Sequence, residues 1–212
     1  FAYKGLSYAT EYTFALAAGS VADLTDNAIQ SDITFSFTTK EKPAVTKALY
    51  DFIVPTDGTF TEALAAAAKR ADTSKRFRIF IKQGDYKIPA NPNSMVTGID
   101  GKQYPSATTY MNTPNVSIIG ESNENTSITN TVPAAECDKG FGMANVLEGI
   151  GHGDVLSLES GATNTYFQDI KMYSSMGDKK GRDIVLNDQS NKTICKNVNL
   201  WAYQDTYVSN NQ

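Results

Sequence analysis

Thr165-Tyr166-Phe167-Gln168-Asp169-Ile170-Lys171-Met172-Tyr173-Ser174 aligns position for position with Thr193-Ile194-Cys195-Lys196-Asn197-Val198-Asn199-Leu200-Trp201-Ala202, 28 residues later. Each decapeptide reads as a short β-rich strand, Tyr166–Met172 in the first and Ile194–Leu200 in the second. Strands returning at this interval, with Asn, Asp and Gly at the corners, fit successive coils of a right-handed parallel β-helix. An antiparallel sandwich with accidental similarity is the alternative. Working outward, Val116–Gly120, Val155–Leu158 and Ile184–Leu186 are further short β-rich runs.

Upstream the pattern changes. Thr61 to Arg70 is rich in alanine, the best helix former, and Thr59 or Thr61 can cap its start. The basic cluster that follows, Lys69-Arg70 and Lys75-Arg76-Phe77-Arg78, reads as a solvated helix end. Phe77–Ile81 is then a strand, ending at Gly84–Ile88. Residues 1–40 alternate at period two in Tyr12–Leu16 and Ile33–Thr39, with turn formers Ala18-Gly19-Ser20 and Asp26-Asn27 between. Glu41-Lys42-Pro43 breaks that pattern. The division expected is 1–40, a linker at 41–46, and 47–212. Two or three strands cannot bury two sheet faces alone, so the first segment must lean on something else.

The net charge is −4 and the pI about 5.0, with scattered basic residues, which argues against a nucleic-acid partner. No apolar run approaches the roughly 20 residues that a membrane-spanning helix needs, so membrane insertion is not expected. Phe1 is not a natural start, so the chain reads as a processed or trimmed piece. Cys137 and Cys195 lie in unlike contexts and read as free thiols. With one histidine, His152, neither a Cys–His nucleophile nor a histidine-rich zinc site is expected. His152, flanked by Gly151 and Gly153, reads as a turn residue, and no helix follows to make those glycines a phosphate loop. Asp169 and Asp188 read as turn caps. Gln204-Asp205-Thr206-Tyr207, following the apolar run Ile194–Trp201, is where chemistry is expected.

Several motifs in order carry a family resemblance. Asp57-Gly58-Thr59-Phe60 with Glu62-Ala63, Ile79-Phe80-Ile81-Lys82-x-Gly84-x-Tyr86, Val116–Glu121 with Thr126-x-Ile128, Phe167-x-Asp169-Ile170, Arg182–Leu186 and Tyr203-Gln204-Asp205-Thr206 resemble, in sequence, segments of the pectin methylesterases. These are carbohydrate esterases built on a parallel β-helix. Residues 1–40 resemble the last part of a bacterial immunoglobulin-like domain, through Tyr12, Ala18-Gly19, Val21-Ala22-Asp23, Asp26-Asn27 and Phe37-Thr38-Thr39. The fold implied is all-β, a right-handed parallel β-helix with one N-terminal helix, preceded by part of an immunoglobulin-like sandwich.

The resemblance implies hydrolysis of galacturonate methyl esters in pectin, releasing methanol, by two aspartates and without metal or organic cofactor. Asp205 would be the acid/base aspartate, with a raised pKa. Gln204 would donate to the oxyanion. Arg182 stands where the family has a second glutamine, and could stabilise an oxyanion or hold a substrate carboxylate, or equally be a surface residue beside Asp183. Tyr207 and Trp201 are candidate sugar contacts, although Tyr207 is one place earlier than the family's aromatic, which is Val208 here. Trp201 could equally pack beside the site or in the core. The family's nucleophile segment, Asp-Phe-x-x-Gly, and its Gly-Arg-x-Trp are not in these 212 residues. The chain is therefore expected to be truncated, inactive alone, and to need the later coils as a partner. Homogalacturonan is the expected substrate, and a secreted, periplasmic or cell-surface bacterial protein the expected setting. The alternative is a non-catalytic carbohydrate-binding or adhesin β-helix. A pectate lyase on the same fold would need a calcium-binding carboxylate cluster that is not visible.

Overall fold

The computed structural model describes residues 5–97, 103–131, 153–175, 184–202 and 205–209. The chain divides into two compact units, Phe1–Val45 and Thr46–Gln212.

The first unit is a two-stranded antiparallel ribbon. β1 (Glu11–Leu16) pairs with β2 (Ile33–Thr38), Glu11 opposite Thr38 and Leu16 opposite Ile33. Cross-strand pairs hold it. Tyr12 stacks on Phe37 at 5.8 Å and Phe14 lies against Phe35 at 5.1 Å, while Thr13 and Ser36 hydrogen-bond on the other face. The loop between is ordered around Asp23, whose carboxylate accepts from the backbone N–H groups of Thr25 and Asn27 and from both side chains. These bonds hold the carboxyl well below its usual range. β2 is exposed along its whole length, and β1 alternates between exposed and half-buried positions.

The second unit is a parallel β-helix. It opens with β3 (Phe52–Val54) and α1 (Phe60–Lys69). Thr59 caps the helix: its hydroxyl accepts from the Glu62 N–H, and the Glu62 carboxylate reaches back to the Thr59 N–H. Phe60, Ala63, Leu64 and Ala67 form the buried face. Of the basic cluster at the helix end, Lys69, Lys75 and Arg78 are exposed as expected, whereas Arg70 and Arg76 are not simply solvated. The Arg70 guanidinium donates to the carbonyls of Ala67, Thr73, Lys75 and Pro114, and Arg76 donates to those of Val116 and Asn164. Five fixed donors suit such bundles of orphan carbonyls at corners, and that use is invisible in a charge pattern.

Four coils follow. β4 (Phe77–Ile81) and β5 (Gly84–Ile88) lead to the antiparallel hairpin of β6 (Asn91–Thr97) and β7 (Gln103–Ser106), then to β8 (Tyr110–Met111). β9 (Val116–Gly120), β10 (Thr126–Asn130) and β11 (Leu156–Leu158) form the next coil. β12 (Tyr166–Gln168), β13 (Lys171–Tyr173) and β14 (Leu186–Asp188) form the third, and β15 (Ile194–Lys196), β16 (Asn199–Trp201) and β17 (Tyr207–Ser209) the fourth. The first sheet is β3-β4-β9-β12-β15, the second β5-β10-β13-β16 and the third β8-β11-β14-β17, all parallel.

The 28-residue repeat is the coil advance: Tyr166 pairs with Ile194 and Met172 with Leu200. Each decapeptide is two strands rather than one. Asp169 (φ 51°) and Asn197 (φ 53°) stand in the left-handed region and turn the chain from the first sheet to the second. Asp and Asn tolerate that conformation, so the corner leaves the apolar pattern unbroken. Val155–Leu158 begins its strand at Leu156, and the Ile184–Leu186 strand is shifted to Leu186–Asp188.

Like side chains stack through the core. Ile79, Ile118 and Phe167 share one row of the first sheet and are fully buried. Ile128 and Met172 do the same in the second, Leu156 and Leu186 in the third. Each such side chain contributes roughly 1.5–3 kcal/mol. Corners stack too: Asn164 donates to Asn115, and Asn197 to Asp169, each at 2.6 Å. Gly120 backs onto one of these corners, where a Cβ would lie 2.2 Å from the Asp169 carbonyl oxygen. Gly120→Ala is expected to cost about 2–3 kcal/mol, measured by urea denaturation; unchanged stability would show that the corner has room.

Candidate functional site

Asp205 occupies the corner that opens β17. It is half-buried, with a left-handed backbone (φ 55°), so a corner rather than a strand presents it. Gln204 and Arg182 lie outside the described residues, as do His152 and Cys137. Tyr207 is two residues on, in register with Leu186 and, one strand further, with Leu156. That is the inner row of the third sheet. Its phenol donates to Asp188 Oδ2 at 3.0 Å, although the ring is 49% exposed. Burial and the Asp188 charge push the phenol pKa up. Trp201, also 49% exposed, ends β16 on the strand that enters the same corner, beside Tyr173 in register. The structure thus brings Asp205, Tyr207 and Trp201 to one coil, with Tyr207 turned toward the row of the core rather than away from it.

The two aspartates read as turn caps are tied down as such. Asp188, buried, accepts from the N–H and hydroxyl of Ser190 at 2.9 and 2.7 Å. Asp169 accepts from Gln168 and Asn197. Cys195 is a free thiol in register with Phe167, at the exposed last coil.

Sequence reasoning missed Asp154. It is fully buried beside the outer row of the third sheet, where Tyr110, Ser157, Asn187 and Val208 follow one another in register. Asn187 Nδ2 donates to Asp154 Oδ2 at 3.0 Å, and the Asp154 N–H donates to Thr108 Oγ1 at 3.0 Å. Among the described residues Asp154 Oδ1 has no hydrogen-bond partner. Burial raises the carboxyl to about 7; the Asn187 bond opposes this and the nearby Glu159 charge adds to it. At neutral pH it can therefore hold a proton. The one available signal was an aspartate placed directly before the apolar run Val155-Leu156. Gln189 donates to Asn187 and Ser157 to Glu159, which extends the polar cluster along the sheet. Among the described residues no three His, Cys, Asp or Glu side chains converge as a metal site, and no helix is long and apolar enough to cross a membrane.

No protein-family model and no curated protein matches the chain. Its fold is similar to that of solved pectin methylesterases. PemA from Erwinia chrysanthemi aligns with a TM-score of 0.50 at 17% identity, over 78% of this chain and 46% of that one. A pectin methylesterase from carrot aligns with a TM-score of 0.49 at 18% identity, over 76% and 42%. A pectin methylesterase in complex with a hexasaccharide aligns with a TM-score of 0.49 at 17% identity, over 78% and 46%. The chain spans less than half the length of these structures.

Proposed function

We propose that this chain is part of an esterase that removes methyl groups from homogalacturonan, and that Asp205 is its acid/base carboxylate. What carries the reading is Asp205 itself, half-buried on a corner of a β-helix whose fold is that of pectin methylesterases. Hydrolysis of such an ester requires a nucleophile on the carbonyl carbon, a proton for the departing methanol and donors for the oxyanion. Asp205 would give the proton and then accept one from water. Gln204 would serve the oxyanion, and Arg182 either the oxyanion or a neighbouring galacturonate carboxylate. The nucleophile would belong to later coils, so the 212 residues alone would not turn over. Trp201 would contact the sugar. Tyr207, bonded to Asp188, would act on the sugar only through its exposed ring edge. The protein would work outside the cytoplasm, where its polymer is.

One observation favours a second reading, carbohydrate binding without hydrolysis. Trp201 is exposed next to Tyr173, whose hydroxyl is fixed by Asp85 at 2.9 Å and whose ring carries Lys171 Nζ at 5.1 Å. This is a pinned aromatic surface, and it needs no nucleophile. Methanol release from methyl-esterified pectin by the intact parent protein decides between the two. Release supports the esterase; tight pectin binding without release supports the binding module.

A further inference from the structure

The inner rows of the third sheet change character as they reach the coil of Asp205. Leu156 and Leu186, both buried, are followed in register by Tyr207, and Met111 and Leu158 by Asp188 and Ser209. A carboxylate thus stands inside the solenoid, 3% exposed. Burying it is costly unless donors meet both oxygens. They do. Ser190 gives Oδ1 its N–H at 2.9 Å and its hydroxyl at 2.7 Å, and the Tyr207 phenol gives Oδ2 its O–H at 3.0 Å. Ser190 is itself buried, with its hydroxyl 3.1 Å from that of Thr193. The backbone beside Asp205 is held less firmly. β17 pairs with β14, and among the described residues no strand lies on its other side. At the corner the N–H groups of Val185 and Leu186 share the Thr206 carbonyl, each at 3.2 Å, the long end of the range for such bonds.

We propose that Tyr207 and Asp188 are positioning residues for Asp205: their hydrogen bond inside the solenoid fixes β17 against β14, and with it the corner that aims the Asp205 carboxyl. What this does for catalysis rests on the function proposed above. Tyr207 opposes Leu186, so its phenol crosses diagonally to a side chain two residues further along β14. Apolar side chains fill these rows in the earlier coils, and their burial has no preferred direction. A hydrogen bond to a carboxylate clamped by Ser190 does have one, and it opposes sliding of β17 along its neighbour. Burial and the Asp188 charge push the phenol pKa up, so this donor keeps its proton at neutral pH. A general acid must lie within hydrogen-bond reach of the atom it serves, and a displacement of about 1 Å can cost up to 10²-fold in rate. Asp205 is two residues from Tyr207 and takes its place from that strand. Asp188, buried, acts only through Tyr207.

The test reads the corner and the reaction separately, both in the intact parent protein. Tyr207→Phe removes one hydroxyl and keeps the ring. Backbone amide exchange, followed by mass spectrometry, is expected to quicken about tenfold in a peptide that includes residues 205–209 and to stay unchanged in one that covers β9 and β10. For methanol release from methyl-esterified pectin, kcat is expected to fall about tenfold with KM within about twofold of wild type. Asp188→Asn can turn the bond round: its amide N–H donates to the phenol oxygen while its carbonyl oxygen keeps both Ser190 donors. It is expected to hold both readouts near wild type, and to be as slow as Tyr207→Phe once combined with it. Unchanged exchange at residues 205–209, or an equal rise in both peptides, overturns the proposal. A corner loosened by Tyr207→Phe in a parent that releases no methanol would sink the esterase reading and uphold the tie to the corner. Methanol release with kcat unmoved by Tyr207→Phe would sink the positioning role alone.

Discussion

Replacing Asp205 by alanine in the intact parent protein is expected to slow methanol release from methyl-esterified pectin about 10³-fold, within the usual range for a lost acid/base group. The Michaelis constant should change far less, because the carboxylate acts on the leaving group and on water rather than on the body of the polymer. The substitution should also leave the fold intact. Asp205 is only half-buried and stands on a corner, so no core side chain is removed. Asp205→Asn separates proton transfer from packing: it keeps the shape and loses the proton, and should be nearly as slow as alanine. Activity within about tenfold of wild type for either variant would remove Asp205 from the mechanism.

The second large effect concerns stability and its dependence on pH. The Asp154 carboxyl titrates near 7 in the folded chain against an ordinary value of 3.8. Below about pH 4 both folded and unfolded chains are protonated at this site, and it contributes no pH dependence. Between about 4 and 7 the folded chain holds a proton that the unfolded chain has released, so stability falls as pH rises. Above 7 both are ionised, and the loss levels off at about 4 kcal/mol. Asp154→Asn keeps the polar contact to Asn187 and removes the ionisation. It is expected to be more stable than wild type at pH 8 and to lack this decline. Urea denaturation at intervals from pH 4 to 8.5 measures it; parallel curves for the two proteins would show that Asp154 is not buried as an acid. Asp57, Glu62 and Asp72 give the opposite trend. Hydrogen bonds hold their carboxyls below the ordinary range, so what they contribute disappears as the pH falls below 4.

Much of this fold could be read from residues that answer to local rules. The 28-residue advance was visible because the corner between the first and second sheets is two residues long in both decapeptides and of like kind, Asp169-Ile170 and Asn197-Val198. The helix was visible because Thr59 and Glu62 have the spacing of a capping box. The advance was not visible in the third sheet, where Leu186 pairs with Tyr207 only 21 positions on. There the connecting segment changes length from coil to coil, and no sequence period survives. Splitting each decapeptide into two strands was hidden for a different reason. A single left-handed residue bends the chain without a glycine or proline to announce it. Asp154 was hidden because its burial comes from Thr108 and Asn187, far away along the chain. The inward register of Tyr207 became readable only once its partners Leu186 and Leu156 were known.

The three corners of the coil differ in what they tolerate. Two residues join β4 to β5, β12 to β13 and β15 to β16, five join β9 to β10, and stacked side chains hold that edge. The edge between the second and third sheets is another matter. It carries residues 89–109 with a hairpin of its own in one coil, 131–155 in the next, 174–185 in the third, and 202–206 beside Asp205. This is the edge whose length varies most from coil to coil. The sheets keep their parallel register across these different lengths, so insertions there need not unwind a sheet. New specificity, whether from natural drift or from a grafted loop, enters this scaffold most easily along that edge.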